Sequence, residues 1–115
     1  MASLTTDSNQ RPDGKAPVEK RALFIFIGHD GAAGPERRNE HRAGHLEYMA
    51  TLHREGQLVY GGPIRDESNR SIGAMLVFAA PDMTAARALA ESDPYVRGGV
   101  YAGYELRPFV QVFPR

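Results

Sequence analysis

The stretch ALFIFIG, residues 22–28, decides the fold of this 115-residue chain. Its six apolar residues run without a break from Ala22 to Ile27 and end at Gly28. A run of this length, closed by a glycine, is typical of a strand that is buried on both faces. Residues 72–79 form a second run of the same kind. The sequence therefore predicts a sheet that contains two strands with no polar face.

Helical periodicity and shorter apolar stretches predict the other elements. In chain order, the predicted elements are a strand at 22–27, a helix at 36–55, strands at 57–60 and 72–79, a helix at 83–93, and a strand over 100–113 that Pro108 interrupts. This order is that of a split βαβ unit. It predicts an α+β, ferredoxin-like βαββαβ fold, in which a four-stranded antiparallel sheet carries both helices on one face.

The predicted sheet has one face that the helices do not cover. Two helices on one side leave the opposite side open, yet the strands at 22–27 and 72–79 are apolar on both sides. An apolar sheet face of this size is usually covered by another layer of structure. A second copy of the chain is the simplest cover, so we predict a homodimer that packs sheet against sheet. A sheet with some exposed apolar surface is the alternative.

Composition excludes several classes of protein. The 14 basic and 14 acidic residues give a net charge of zero, which argues against a nucleic-acid or anionic-membrane partner. There is no cysteine, which excludes disulfides and thiolate chemistry. Residues 1–20 are rich in polar residues and proline, so we predict a flexible extension there and a single domain over 21–115. No secretion signal or membrane span is recognisable, and we expect a soluble, cytoplasmic protein.

Asp93 lies at an unfavourable place in the second predicted helix. It falls in the last turn, where the helix dipole is negative, and it continues the apolar stripe of that helix towards the core. A buried carboxylate is costly unless it is paired. Among the residues that point inward from the first helix, His45, His41 and Arg42 are the possible partners. We predict that Asp93 pairs with His45, because such a pair satisfies both groups and fixes the imidazole tautomer.

Other interpretations of these residues stay open. An aspartate followed by proline often caps the next turn, and an inward-facing histidine is often a satisfied core residue. His41 and His45 have the spacing of two metal ligands on one helix face, but no third ligand is evident and we predict no metal. The neighbours His29 and Asp30 are not expected to face each other. The glycine-rich loop 29–35 lacks the features of a phosphate-binding loop.

Short motifs along the chain resemble those of the YciI-like (YCII-related) family. They are Arg42-Ala43-Gly44-His45-Leu46, Gly56-Gln57-Leu58 followed by Gly61-Gly62-Pro63, Asp93-Pro94-Tyr95, Gly99-Val100-Tyr101 and Arg107-Pro108-Phe109. Each motif is short, but their order and spacing agree with the family from about Leu23 to Phe113. The resemblance implies a ferredoxin-like fold that dimerises through its sheets as a dimeric α+β barrel.

The resemblance also implies a site. His45 and Asp93 correspond to the family's His–Asp pair, and most members have no assigned reaction. One relative is a dehydrochlorinase acting on a chlorinated hydroxyhydroquinone, and similar folds include muconolactone isomerases. The extension and the glycine-rich loop depart from the simplest family pattern and leave the substrate open. We predict a catalytic pair with four substrate-binding residues around it: His45 and Asp93, then Arg42, His41, Pro63 and Tyr95.

These observations together predict a small-molecule enzyme of lyase, dehydrochlorinase or isomerase type. His45, oriented by Asp93, would move a proton on a small cyclic or phenolic acid, and Arg42 would hold a carboxylate or a developing oxyanion. No cofactor is predicted, because no redox-cofactor motif is present. The alternative is a small-molecule-binding or accessory dimeric module in which the pair is structural. Tyr95 and Tyr101 could reach the pocket or serve only in packing.

Overall fold

The apolar stretch at the start of the domain forms strand β1, Leu23–Asp30. The computed structural model describes residues 22–115, so the predicted extension at 1–20 lies outside the described residues. The elements that follow are α1 Gly34–Arg54, β2 Leu58–Arg65, β3 Ser71–Ala79, α2 Met83–Glu91, α3 Pro94–Arg97 and β4 Tyr101–Phe109. No helix within residues 22–115 is both long and apolar enough to cross a membrane.

The four strands form one antiparallel sheet in the order β2-β3-β1-β4. The two strands without a polar face, β1 and β3, are therefore the central pair. This arrangement confirms the predicted ferredoxin-like fold.

The edge strands differ from the sequence prediction: β2 runs further than predicted, whereas β4 has no break at Pro108 but ends at Phe109, before the predicted residue 113. β2 continues through Gly61, Gly62 and Pro63 to Arg65, and β4 passes through Pro108 without a break. Proline lacks a backbone donor, which matters in a central strand but is tolerated at an edge. Gly61 is needed because a Cβ there would lie 2.6 Å from the side chain of Leu76. The apparent strand breakers are thus compatible with edge positions.

The main core lies between the sheet and the two long helices. It consists of Phe26 from β1, Leu76 and Phe78 from β3, Met49 and Leu52 from α1, and Ala90 from α2. A hydrogen bond also links α1 to α2, since the hydroxyl of Tyr48 donates to the carbonyl of Leu89 over 2.7 Å. Leu46 and Ala50 of α1, although apolar, are exposed.

A second apolar cluster occupies the opposite face of the sheet. Leu23, Val77 and Ala79 are buried there, and Ile25, Val59, Met75 and Phe109 pack against them at lower burial. Every member of this cluster belongs to a strand, and no helix of residues 22–115 contributes to it. The expected apolar second face is therefore present.

The second long helix ends earlier than predicted. α2 stops at Glu91 with Ser92 as its C-cap, and Asp93 then caps the short helix α3. Asp82 caps the start of α2, because its Oδ1 accepts from the backbone of Ala85 over 2.8 Å. Asp93 thus lies at the favourable, positive end of α3 and not at the negative end of a longer helix.

Candidate functional site

His45 and Asp93 form a buried hydrogen-bonded pair. The Nδ1 atom of His45 lies 2.8 Å from Oδ1 of Asp93, and their side chains are 13% and 0% exposed. Because a carboxylate accepts hydrogen bonds, Nδ1–H donates and Nε2 is the nitrogen that remains for a ligand. The predicted contact is present, with the imidazole held in one orientation.

The backbone supplies a second partner for Asp93. Its Oδ1 also accepts from the backbone N–H of Tyr95 over 2.9 Å, which is the capping contact of α3. Oδ2 is buried and makes no hydrogen bond within the described residues. Asp93 therefore caps a helix and orients His45 at once, so the two interpretations left open by the sequence both hold.

Tyr95 packs against one face of the His45 imidazole. The rings of His45 and Tyr95 are stacked with their centroids 3.8 Å apart and their planes 4° from parallel. Tyr95 is 3% exposed, so the stack is buried against the core. α3 lies against α1 at this point, since a Cβ on Gly44 would be in ordinary van der Waals contact with Pro94 at 3.5 Å. The imidazole is held by a hydrogen bond and by ring packing.

A cavity of about 460 Å³ opens beside this pair, between α1 and the sheet. Its walls include four of the predicted site residues, Arg42, His45, Pro63 and Tyr95. Further wall residues come from α1 and from the strands: Pro35, Arg38, Asn39, Leu46, Gly62, Arg65, Ser71, Ala74, Leu76 and Tyr101.

The other two predicted site residues do not line this cavity. Asp93 lies behind His45 and is fully buried. His41 is half-buried against α3, where a Cβ on Gly98 would collide with its imidazole ring. The predicted substrate contact of His41 thus has no counterpart in the walls of this cavity.

The cavity walls carry positive charge. Arg38, Arg42 and Arg65 line the cavity, and no aspartate or glutamate is among its wall residues. Arg42 makes no ion pair within residues 22–115, and Arg65 donates only to the amide oxygen of Asn69 over 3.2 Å. Two of the three guanidinium charges are therefore not offset by a neighbouring carboxylate of the described chain. Such a cavity favours an anionic ligand.

Arg38 is the site residue that sequence reasoning missed. Its Nε and Nη2 atoms donate to the two carboxylate oxygens of Asp30 over 2.8 and 2.9 Å. Its guanidinium carbon also lies 5.3 Å from the ring centroid of Tyr95. The hydrogen bond with Asp30 raises the pKa of Arg38, which stays charged. The helical spacing of Arg38, four residues before Arg42, was the signal that could have found it.

Tyr101 closes the cavity at the start of β4. Its ring packs on Gly28, where a Cβ would lie 2.8 Å from the tyrosine ring. The hydroxyl is buried and unpaired within the described residues. Burial raises the pKa of Tyr101, and the nearby charge of Asp93 adds to the effect. The hydroxyl therefore stays neutral well above neutral pH.

The remaining alternatives find no support in the geometry. His29 and Asp30 have different partners, since His29 contacts Glu105 over 3.1 Å and Asp30 binds Arg38. Asp30 belongs to β1, so the glycine-rich loop is shorter than predicted and α1 already begins at Gly34. Across residues 22–115, no three His, Asp or Glu side chains are grouped as metal ligands.

Comparison with known proteins identifies the family. The YCII-related domain matches residues 22–110. Protein YciI of Escherichia coli is 33% identical over 97 residues, which cover 79% of this chain and 99% of that protein. An uncharacterized protein of Haemophilus influenzae is 34% identical, covering 78% and 98% of the two chains.

A solved structure shares the fold. The 5-chloro-2-hydroxyhydroquinone dehydrochlorinase TftG of Burkholderia phenoliruptrix, in complex with 2,5-dihydroxybenzoquinone, superimposes with a TM-score of 0.67 at 22% identity. The likeness covers 76% of this chain and 92% of that one. The family match and the relatives agree over nearly all of the described domain, and the chain belongs to the YCII-related, YciI-like family.

Proposed function

We propose that this protein is a small-molecule enzyme in which His45 transfers a proton on a small cyclic or phenolic acid. The observation that carries the proposal is the 2.8 Å contact between His45 Nδ1 and Asp93 Oδ1, made by an imidazole that lines a cavity. A carboxylate on Nδ1 fixes the tautomer with its lone pair on Nε2 and stabilises the imidazolium that forms when Nε2 takes a proton. His45 is then a general base, or the general acid of the reverse step.

The charge of the cavity supports the substrate class. Arg42 has no carboxylate partner within residues 22–115 and lies one helical turn before His45, so it is placed to hold a substrate carboxylate. Proton transfer next to a carbonyl or phenol is the chemistry of lyases and isomerases. The dehydrochlorinase with the same fold acts on a hydroxylated ring, which makes hydroxylated quinones and phenolic acids the first compounds to test.

A non-catalytic binding or accessory module is the second candidate. The observation in its favour is that Asp93 Oδ1 also accepts from Tyr95 N–H, so Asp93 has a structural task that needs no reaction. In that case the protein binds the same class of ligand in the cavity and releases it unchanged.

We also propose a homodimer formed through the sheet face that carries Leu23, Val77 and Ala79. Support comes from the apolar character of that face and from the absence of a covering helix within residues 22–115. A face of this kind, packed against its own copy, gives an isologous interface.

The experiment has two steps. Phenolic acids, lactone acids and hydroxyquinones are screened by thermal shift, and each hit is followed by chromatography for consumption. His45→Gln is then compared with His53→Gln, a matched variant at an exposed histidine of α1.

Turnover should fall by about 100-fold or more in His45→Gln, since a positioned acid–base group contributes about 10²–10⁴ in rate. It should be unchanged in His53→Gln. If His45→Gln folds and keeps turnover within about threefold of the original protein, His45 is not the proton-transfer residue. A ligand that binds and is never consumed favours the binding module.

A further inference from the structure

Asp30 is a buried support for the cavity wall. Its side chain is 8% exposed and stands at the end of β1, where α1 begins. Gly34 makes this approach possible, since a Cβ there would lie 2.7 Å from Oδ2 of Asp30. A buried carboxylate requires a paired cation, and Arg38 supplies it through two hydrogen bonds. The guanidinium of Arg38 is therefore fixed in place before any ligand arrives.

Arg38, which lines the cavity, keeps unused donors. A guanidinium has five N–H donors in a fixed plane. The Nε donor and the Nη2 donors are used by Asp30 and by the carbonyl of Gly73 at 2.9 Å. Nη1 makes no hydrogen bond within the described residues. It is also not one of their buried polar atoms that lack a partner. Two donors on a rigid, charged group are thus left for a ligand oxygen.

Helical spacing places Arg38 beside the residues of the proposed reaction. Arg38, Arg42 and His45 follow each other at intervals of four and three residues along α1, and all three line the cavity. Residues three or four apart on a helix are surface neighbours, about 5–6 Å apart at Cβ. One small molecule in the cavity could therefore contact both Arg38 and Arg42.

The two arginines differ in charge balance. The charge of Arg38 is offset by Asp30, whereas Arg42 has no carboxylate partner within residues 22–115. The uncompensated Arg42 suits a full negative charge, such as a carboxylate. Arg38 stays charged but already has Asp30 as its counter-ion, so it suits a hydroxyl, enol or keto oxygen whose lone pairs accept hydrogen bonds from its remaining N–H groups.

We propose that Arg38, held by Asp30, is a specificity-determining residue that selects acids with a second oxygen next to the carboxylate. The ligand class is a cyclic 2-hydroxy- or 2-oxo-acid, with the carboxylate on Arg42 and the neighbouring oxygen on Arg38 Nη1. This inference rests on the proposed function for the placement of the carboxylate. Asp30 acts through Arg38 and is a positioning residue.

The test uses two probes that differ by one oxygen, salicylate and benzoate, titrated calorimetrically into the full-length protein. The preference for salicylate is the readout. We compare the original protein with the double variant Asp30→Asn/Arg38→Gln, which removes the ion pair without leaving a buried charge unpaired. Arg37→Gln, on the neighbouring exposed arginine that contacts Glu40, is the matched control. Circular dichroism confirms the fold of each variant.

The original protein and Arg37→Gln should bind salicylate about tenfold or more tightly than benzoate, because a hydrogen bond to a charged donor contributes that much. The double variant should bind the two probes within about twofold of each other. The single variant Asp30→Asn, which keeps the guanidinium but loosens its support, should show a reduced preference.

An unchanged preference in a folded double variant overturns the inference, as does an original protein that binds the two probes equally or binds neither. None of these results bears on His45, whose role is judged by turnover in His45→Gln. Failure of the two proposals can therefore be told apart.

Discussion

Asp93 shows how one side chain can satisfy two demands at the residue scale. Its Oδ1 accepts from His45 Nδ1 and from the backbone of Tyr95, so a substitution can remove one contact and keep the other. Asparagine retains an acceptor at the same place. Serine is a good N-cap but is too short to replace the carboxylate against the imidazole.

We predict a graded loss of stability in urea or guanidinium unfolding. Asp93→Asn should be the least destabilised and Asp93→Ser intermediate. Asp93→Ala should be the most destabilised, since it loses a cap of about 1 kcal/mol and leaves a buried donor unpaired at about 1–3 kcal/mol. If Asp93→Ser is as stable as Asp93→Asn, the contact with His45 contributes nothing to folding.

Tyr101 provides a pH-dependent prediction. Burial raises the pKa of its hydroxyl in the folded protein, whereas the unfolded chain ionises near the ordinary phenol value of about 10. As pH rises above about 10 the unfolded state therefore loses its proton first, and the free energy of unfolding falls with pH. Below that pH both states are protonated, and this contribution to the stability is fully present.

Tyr101→Phe should remove part of this loss of stability at alkaline pH. In denaturant unfolding between neutral pH and about pH 11, the free energy of unfolding should fall less for the variant than for the original protein above pH 10. Near neutral pH the variant should be equal or slightly more stable, because it deletes a buried hydroxyl that is unpaired within the described residues. Parallel curves for Tyr101→Phe and the original protein would show that Tyr101 ionises equally easily in both states.

At the scale of elements, the turn between β2 and β3 depends on one backbone conformation. Asn69 has a φ angle of 69°. Its N–H donates to the carbonyl of Asp66 over 2.8 Å, while the carboxylate of Asp66 accepts from the backbone of Ser68 and Arg70. Asparagine tolerates this left-handed conformation better than most residues, and glycine adopts it without strain.

We therefore expect Asn69→Gly to keep the melting temperature or raise it slightly. Asn69→Ala should cost about 1–2 kcal/mol, because alanine is strained at a positive φ angle. Ser68→Ala, which keeps the Ser68 backbone N–H that donates to Asp66, is the matched control and should change little. Equal stability of the alanine and glycine variants would mean that the turn is free to change its conformation.

The elements also show what a single sequence can reveal. The central strands and the pairing of His45 with Asp93 are predictable, because a continuous apolar run fits few structures besides a buried strand and an inward-facing carboxylate needs a nearby donor. The full length of β2 and the continuity of β4 through Pro108 are not predictable, because Pro63 and Pro108 are acceptable only at a sheet edge and the local sequence pattern does not determine strand order.

The role of Arg38 was hidden for a similar reason. An arginine near the start of a helix is usually a solvated residue, and only its contact with Asp30, which lies on another element, reveals it as part of the site. Long-range ion pairs of this kind have no periodic signature in the sequence. The i, i+4 relation of Arg38 to Arg42 was the one local sign.

At the scale of the whole molecule, we predict that the sheet face opposite the helices forms the dimer interface. Val77 is fully buried in the apolar cluster there, Ile25 packs beside it from the adjacent strand, and Tyr60 extends the face to the β2 edge at 44% exposure. Burial of apolar surface contributes about 25 cal/mol per Å² removed from water. A second copy that packs on this face would cover Ile25 and Tyr60 together.

We predict a dimer at micromolar concentration by light scattering, and a shift to monomer in Ile25→Lys, because the lysine would place a charge in the middle of the interface. Ala50→Lys, on the exposed surface of α1, is the matched control and should remain dimeric. The melting temperature of the original protein should rise with protein concentration, whereas that of the monomeric Ile25→Lys variant should not, as linkage between folding and assembly requires. A monomeric original protein, or a dimer that Ile25→Lys leaves intact, would place any partner on another surface.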